Sequence, residues 1–299
     1  MHVYVVGNMG VDQTYQIDEL PEKGASIHGR KISQDLGGKG ANQAVILARC
    51  GISTTLIAAR GNDHQGDWCR DKLAQESLTL FPEEPLDCAT DTSIILNSAD
   101  GDNANITTTT AAGMLALAQI TAVLADARPG DIVLQQGNFS FDKTRAIFEY
   151  CRSRRLYTVF NPSPVKTEFA RLWPLVDLAV VNSVEARLLN AALENRTDAA
   201  RRLLAGGNGA LVMTLGADGA VLFRDGRQLR AEAAPCRVVD TTGAGDTFLA
   251  AMLASALRRD LPVDAIALRH AGLAAAVTIG RSGTLRAFPT RAELDAILA

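Results

Sequence analysis

No stretch of this 299-residue sequence approaches the ~20 consecutive apolar residues that a helix needs to span a bilayer, and Met1 opens no signal-peptide pattern. The five cysteines (Cys50, Cys69, Cys88, Cys151 and Cys236) are odd in number, scattered, and form no C-x-x-C pair. That spacing indicates neither a zinc site nor a disulfide framework, so a reducing cytoplasm is the expected compartment. Neither sign of charge dominates: the formal net charge is −3, which argues against broad binding to nucleic acid or to anionic membranes. There is no Pro/Gly/Ser-rich linker, no internal repeat and no low-complexity tract, Thr107-Thr108-Thr109-Thr110 being too short to count. Two familiar nucleotide signatures are also missing. The glycine spacings fit neither G-x-x-x-x-G-K-[ST] nor G-x-G-x-x-G, which leaves a dinucleotide oxidoreductase as a weak alternative.

What is present suits an α/β enzyme. Hydrophobic residues make up 47% of the chain and charged residues 21%, enough apolar material for a substantial core. Compact apolar runs at Val3–Val6, Thr54–Ala59, Ile132–Leu134, Tyr157–Phe160, Leu178–Val181 and Ala210–Met213 predict buried strands. Helical patterns separate them at Gly66–Glu76, Leu115–Ala127, Lys143–Arg152, Ser183–Leu193 and Asp198–Leu204. This alternation predicts parallel βαβ units with helices on both faces of the sheet, and ligands beyond the carboxyl ends of the strands. One domain over 1–299 is expected. Two polar, strand-like stretches, about 11–35 and 91–109, break the alternation, with hairpin chemistry at Asp100-Gly101-Asp102. Taken alone, they are either surface loops or functional insertions.

Asp240-Thr241-Thr242-Gly243-Ala244-Gly245-Asp246 follows a short extended run and opens into the apolar segment Phe248–Leu257. A turn of small residues feeding a helix leaves backbone N–H groups without intrahelical partners, and the helix dipole adds partial positive charge. A phosphate fits there. Asp246 is the anomaly, because an anion in an anion-binding turn repels its guest. It makes sense as a base that takes the proton from a hydroxyl attacking that phosphate; taken alone, it is equally a helix cap.

The second motif, Gly37-Gly38-Lys39-Gly40-Ala41-Asn42-Gln43-Ala44, runs into Val45–Ala48 and stops near Gly51. It predicts a glycine turn and a short buried helix with a glycine stop. Asn42 is positioned either to cap that helix or to bond a hydroxyl-rich ligand.

With both motifs at their expected spacings, the chain resembles the ribokinase-like (PfkB) family of carbohydrate kinases. The first signature runs from Gly37 through Asn42 and Ala44 to Gly51 and Gly61; the second runs from Asp240 through Gly243-Ala244-Gly245-Asp246 to Ala251. The resemblance implies a central, mostly parallel sheet flanked by helices and a small β-sheet lid made by the two polar stretches, often used for homodimer contacts. It implies transfer of the γ-phosphoryl group of ATP to a sugar hydroxyl. Asp246 would be the general base, Gly243, Ala244 and Gly245 the anion hole, and Asp12, Gly38 and Asn42 the sugar contacts. Asn182 and Glu185 match an Asn-x-x-Glu element that organises Mg²⁺ and phosphate, often through water. Thr214 and Gly216 meet the nucleotide, and His270 lies where relatives pack against adenine; a lone helical histidine is as readily structural. Asp240 and Thr242 correspond to a monovalent-cation (K⁺) loop.

Two departures bear on the acceptor. Where ribokinase places a sugar-binding glutamate, this chain has Gly137 and Asn138, and Gly10 stands at an asparagine position. Ribose is therefore not the first choice; fructose or another ketose, a deoxy sugar acid, or a nucleoside fits the same frame. A phosphosugar would need extra cations, for which Lys39, Arg30 and Lys31 are candidates. A non-catalytic sugar sensor on the kinase scaffold would lose the base or the anion hole, and this chain keeps both sequences.

Overall fold

The computed structural model describes residues 1–98, 103–189, 204 and 209–299. Among these, nine strands form one sheet and four form a second, smaller one.

The large sheet is ordered β13-β12-β11-β10-β9-β8-β1-β4-β5. Its centre is β1 (Val3–Val6), paired in parallel with β4 (Thr54–Ile57) and β8 (Ile132–Gln136). β5 (Thr79–Phe81) extends one edge, and β9 (Tyr157–Asn161), β10 (Leu178–Asn182) and β11 (Ala210–Thr214) continue in parallel on the other side. β1, β4 and β8 are buried along their whole length, which is why they read as near-continuous apolar runs. The antiparallel hairpin β12 (Ala220–Arg224) and β13 (Arg227–Ala231) closes the far edge. The sequence expectation omitted it because β13 is exposed and polar at this edge. Its turn uses Asp225 and Gly226 at φ 50° and 71°, the left-handed pair that a two-residue hairpin demands.

Alternate strand residues serve two cores. Val3, Val5, Leu134, Val159, Val180 and Val212 pack against α1 (Lys39–Arg49), α7 (Ala244–Arg258) and α8 (Ala265–Ile279). On the opposite face, Tyr4, Val6 and Val133 pack with α4 (Leu117–Leu124) and α5 (Phe141–Ser153). There, too, Phe148, Phe160 and Phe169 stack edge to face with centroids 5.3 and 5.4 Å apart, a favoured aromatic geometry. The predicted helices sit near their expected places, the first as α2 (His64–Leu73) and the fourth as α6 (Ser183–Leu189). The hairpin turn predicted at Asp100–Asp102 and most of the helix predicted over 198–204 lie outside the described residues.

The small sheet, ordered β3-β2-β6-β7, is built from the two polar stretches: β2 (Gly10–Ile17), β3 (Arg30–Gly37), β6 (Thr92–Ser98) and β7 (Asn103–Thr107). Asp12 stands in register with Asp35 on one side and Ser93 on the other, and Ser93 with Thr107, so these four share one face. Ile94 and Ile106, one position along, pair on the opposite face and are 37% and 61% exposed. Short α3 (Thr110–Met114) follows β7, and α9 (Arg291–Ile297) ends the chain.

Candidate active site

The carboxyl ends of β1, β8, β9, β10 and β11 reach the same edge of the sheet, and the N-termini of α1 and α7 converge over it. Gly38 starts α1 at φ 95°, and a Cβ there would lie 2.7 Å from the Met9 Cα. Only glycine lets the turn approach the β1–β2 connection so closely. A Cβ on Gly40 would meet the Asn8 backbone at 2.6 Å, and Asn8 in turn accepts the Ala41 N–H through its carbonyl at 3.0 Å. The first glycine motif thus seats α1 against the end of β1 and aims Asn42 inward.

Asp246 lies in the first turn of α7, 4% exposed. Asn42 donates Nδ2–H to its Oδ2 at 3.0 Å, and Gln43 donates Nε2–H to its Oδ1 at 2.8 Å. Gln136, at the end of β8, donates to the Gln43 Oε1 at 2.7 Å. The two glycine motifs, about 200 residues apart in sequence, therefore meet at one buried carboxylate. Asn42 caps nothing; its Oδ1 is buried without a protein partner, as are the Gln136 Oε1 and the Asn138 Oδ1. Buried orphan acceptors are uncommon in folded proteins.

Gly243 precedes α7 in the left-handed region at φ 74°, and a Cβ there would lie 2.6 Å from the Phe288 ring. The Ala244 N–H closes onto the Thr241 carbonyl at 3.2 Å, and the Thr247 N–H onto that of Gly243 at 2.9 Å. Of the three expected anion-hole donors, the Ala244 N–H thus has an acceptor within the turn.

Asp12 is partly buried. Burial foremost, then the charges of Asp35 and Asp246, push its carboxyl up to about 6, while the Ser93 hydroxyl and Lys39 pull the other way. At the glycines of both sequence departures a side chain would collide with backbone. A Cβ at Gly10 would lie 2.2 Å from the Asp91 carbonyl, and one at Gly137 2.1 Å from that of Pro164.

A cavity of about 500 Å³ opens beside the α7 N-terminus. Its lining is mostly small and apolar, includes Thr214 and Gly216, and reaches Thr241, Ala244 and Gly245. His270 is not among the lining residues. It faces α7, where its Nδ1 sits 2.9 Å from the Ser255 hydroxyl, and burial lowers its pKa. α8 meets the cavity through Leu268, Gly272, Ala275 and Ala276 instead.

Asn182 and Glu185 form a reciprocal cap on α6: the Asn182 Oδ1 accepts the Glu185 N–H at 2.8 Å, and the Glu185 Oε2 accepts the Asn182 N–H at 2.9 Å. This fixes Glu185 at the end of β10 with one oxygen free of that cap. The Asp240 carboxylate accepts from the Thr242 N–H at 2.9 Å and the Gly283 N–H at 3.1 Å. It ties the two loops behind the α7 N-terminus together. Among the described residues no cluster of three or more His, Cys, Asp or Glu side chains has metal-binding geometry, and no helix is long and apolar enough to cross a membrane. Gln43 and Gln136 received no role from the sequence. The signal available was a glutamine at the head of the small and apolar run of α1 and another ending the apolar run of β8.

The sequence profile described as pfkB family carbohydrate kinase matches residues 2–291. Ribokinase from Bacillus subtilis (strain 168) is 29% identical over 305 residues, covering 100% of this chain and 99% of that protein. Ribokinase from Mus musculus is 29% identical over 307 residues, covering 99% of this chain and 94% of that protein. Among solved structures, ribokinase from Cryptococcus neoformans var. grubii serotype A in complex with ADP superposes with a TM-score of 0.82 at 26% identity, over 99% of this chain and 97% of that one.

Proposed function

This chain belongs to the pfkB family of carbohydrate kinases, phosphotransferases that act on a sugar hydroxyl, and from that premise we propose that it transfers the γ-phosphoryl group of ATP to a hydroxyl of a small neutral sugar of the ribose or fructose class. The observation that carries this reading is the buried Asp246 carboxylate, held by Asn42 and Gln43 of the first motif at the N-terminus of the second. In this reading the sugar lies against Asp12, Gly38, Asn42 and Asn138. Asp246 removes the proton of the attacking hydroxyl as its oxygen forms the bond to phosphorus and the bond to the leaving ADP oxygen breaks. The first-turn N–H groups beside Gly243 stabilise charge on the transferring group. The small-residue cavity takes the nucleotide. Mg²⁺, a hard ion that keeps several waters and uses few protein ligands, would be held through the ATP oxygens with Glu185 reaching it through water, and would neutralise phosphate charge. A monovalent cation such as K⁺ behind the hole would rest mainly on backbone carbonyls, because Asp240 is already engaged by two N–H donors.

Charge separates the acceptors. A sugar acid or phosphosugar would bring a further negative charge to a site where the charges of Asp35 and Asp246 already act on Asp12, with Lys39 as the opposing cation. A non-catalytic sensor would need no aimed carboxylate, and a nucleoside kinase of the same fold would share the whole frame. The small sheet acts as the lid over the sugar, which excludes water from the transfer. Its outward Ile94–Ile106 pair suits a homodimer contact.

ADP release from Mg-ATP across D-ribose, 2-deoxy-D-ribose, D-fructose, nucleosides, sugar acids and phosphosugars tests this reading. Turnover with a neutral sugar is expected. Turnover with anionic acceptors alone would contradict the neutral-acceptor assignment, and turnover with nucleosides alone would favour the alternative kinase.

A further inference from the structure

The carboxylate at the centre of the site is held by donors only, and the donor on one side is itself held in place. Gln43 is fully buried and Gln136 is 1% exposed. A glutamine amide has one end that donates and one that accepts, and in isolation the two orientations are close in energy. Here they are not equivalent. Gln136 directs its NH₂ group into the Gln43 Oε1 at 2.7 Å, which leaves the Gln43 NH₂ facing the Asp246 Oδ1 at 2.8 Å. Turning the Gln43 amide over would set its oxygen against the carboxylate and its NH₂ against the NH₂ of Gln136. The second Asp246 oxygen is met by the NH₂ of Asn42. Each carboxylate oxygen thus accepts from one amide, which fixes the plane in which the Asp246 carboxylate lies.

We propose that Gln43 is a positioning residue that keeps the Asp246 carboxylate aimed for proton abstraction, with Gln136 fixing the orientation of the Gln43 amide. The inference rests on the reading of Asp246 as the base. Neither glutamine need touch the sugar for this role. The relay also spans the sheet edge: it links β8, α1 and α7, and the Gln43 Nε2 lies 3.4 Å from the Asn161 Oδ1 at the end of β9. The other titratable groups that share this space are Asp12 on β2, Asp35 on β3 and Lys39 at the start of α1. They stay unchanged in the variants that test the idea.

The test is kcat and KM with Mg-ATP and D-ribose, or the panel sugar of highest turnover, together with the melting temperature, for wild type, Gln43→Met and Gln136→Met. Methionine keeps the approximate length of glutamine and removes the donor. Loss of one of the two hydrogen bonds that aim the carboxylate should lower kcat of Gln43→Met roughly tenfold. KM for sugar and ATP should change less than about twofold, the split expected when an interaction acts mainly in the transition state. Gln136→Met, which leaves the Asp246 contacts in place, should lower kcat by less, and it reports independently if Gln43→Met does not fold. A merely structural role would raise KM and lower the melting temperature along with kcat. That result, or an unchanged kcat in either folded variant, overturns the inference. Asp246→Asn run in parallel separates the two claims. If it is inactive while the glutamine variants keep wild-type kcat, only the positioning role fails; if it retains turnover, the base assignment fails as well.

Discussion

Replacing Asp12 by asparagine should stabilise the protein at neutral pH while abolishing its use of sugar. The Asp12 carboxyl is raised from 3.8 to about 6, first by burial and then by the charges of Asp35 and Asp246. A carboxyl raised in the folded state contributes its stability fully below the unfolded value of 3.8 and loses it as the pH rises through about 6. Above that, the ionised group destabilises the fold by about two pKa units at 1.36 kcal/mol each, or roughly 3 kcal/mol, reduced somewhat by solvent at its exposed edge. Asparagine keeps an oxygen to accept from Ser93 and cannot ionise. Urea unfolding of both proteins at pH 4, 6 and 8 would read the effect. Asp12→Asn should be the more stable by about 2–3 kcal/mol at pH 8, with the difference closing towards pH 4. The same variant loses the carboxylate that accepts paired sugar hydroxyls, so KM for the sugar should rise steeply. In wild type KM should climb about tenfold per unit as the pH falls below 6. A variant equally or less stable at pH 8 would refute the reasoning, because it would mean that Asp12 is not strained by its neighbours.

Gly243→Ala should lower kcat by about 10²-fold and destabilise the fold by roughly 1–3 kcal/mol, since its methyl group meets both an unfavourable φ and the Phe288 ring; steady-state kinetics and thermal melts check both effects. Cys236 is an exposed free thiol lining the small-residue cavity, whereas burial pushes Cys50, Cys69 and Cys151 up to about 12. Maleimide labelling followed by mass spectrometry should therefore mark Cys236 ahead of those three, and Mg-ATP should slow that labelling. Unchanged labelling at saturating ATP would place the nucleotide elsewhere.

How much could be read from the sequence followed physical locality. Buried parallel strands such as Val3–Val6 and Leu178–Asn182 are continuous apolar runs, so their existence and order along the chain were legible. Exposed β13 carries Arg227, Gln228 and Arg230 and has no such signal, though Asp225-Gly226 marked its turn. Spacing singled out Asp246 and Asn42, which the fold brings into contact. It could not show that Gln43 bonds a residue 203 positions away, or that His270 turns towards Ser255 rather than the cavity, because both are decided by how α1 and α8 pack on α7. Asn182 and Glu185 illustrate a pattern with two compatible meanings: the cap is visible in the structure, and it holds the carboxylate to which the proposed metal role is assigned.

The measurement that bears most directly on the central claim is single-turnover phosphoryl transfer by Asp246→Asn, with sugar and ATP binding followed in parallel by calorimetry. The account predicts folded protein that binds both ligands within a few-fold of wild type and transfers phosphate about 10²–10⁴-fold more slowly, the usual range for loss of a general base. Transfer at near wild-type rate by this variant would contradict it.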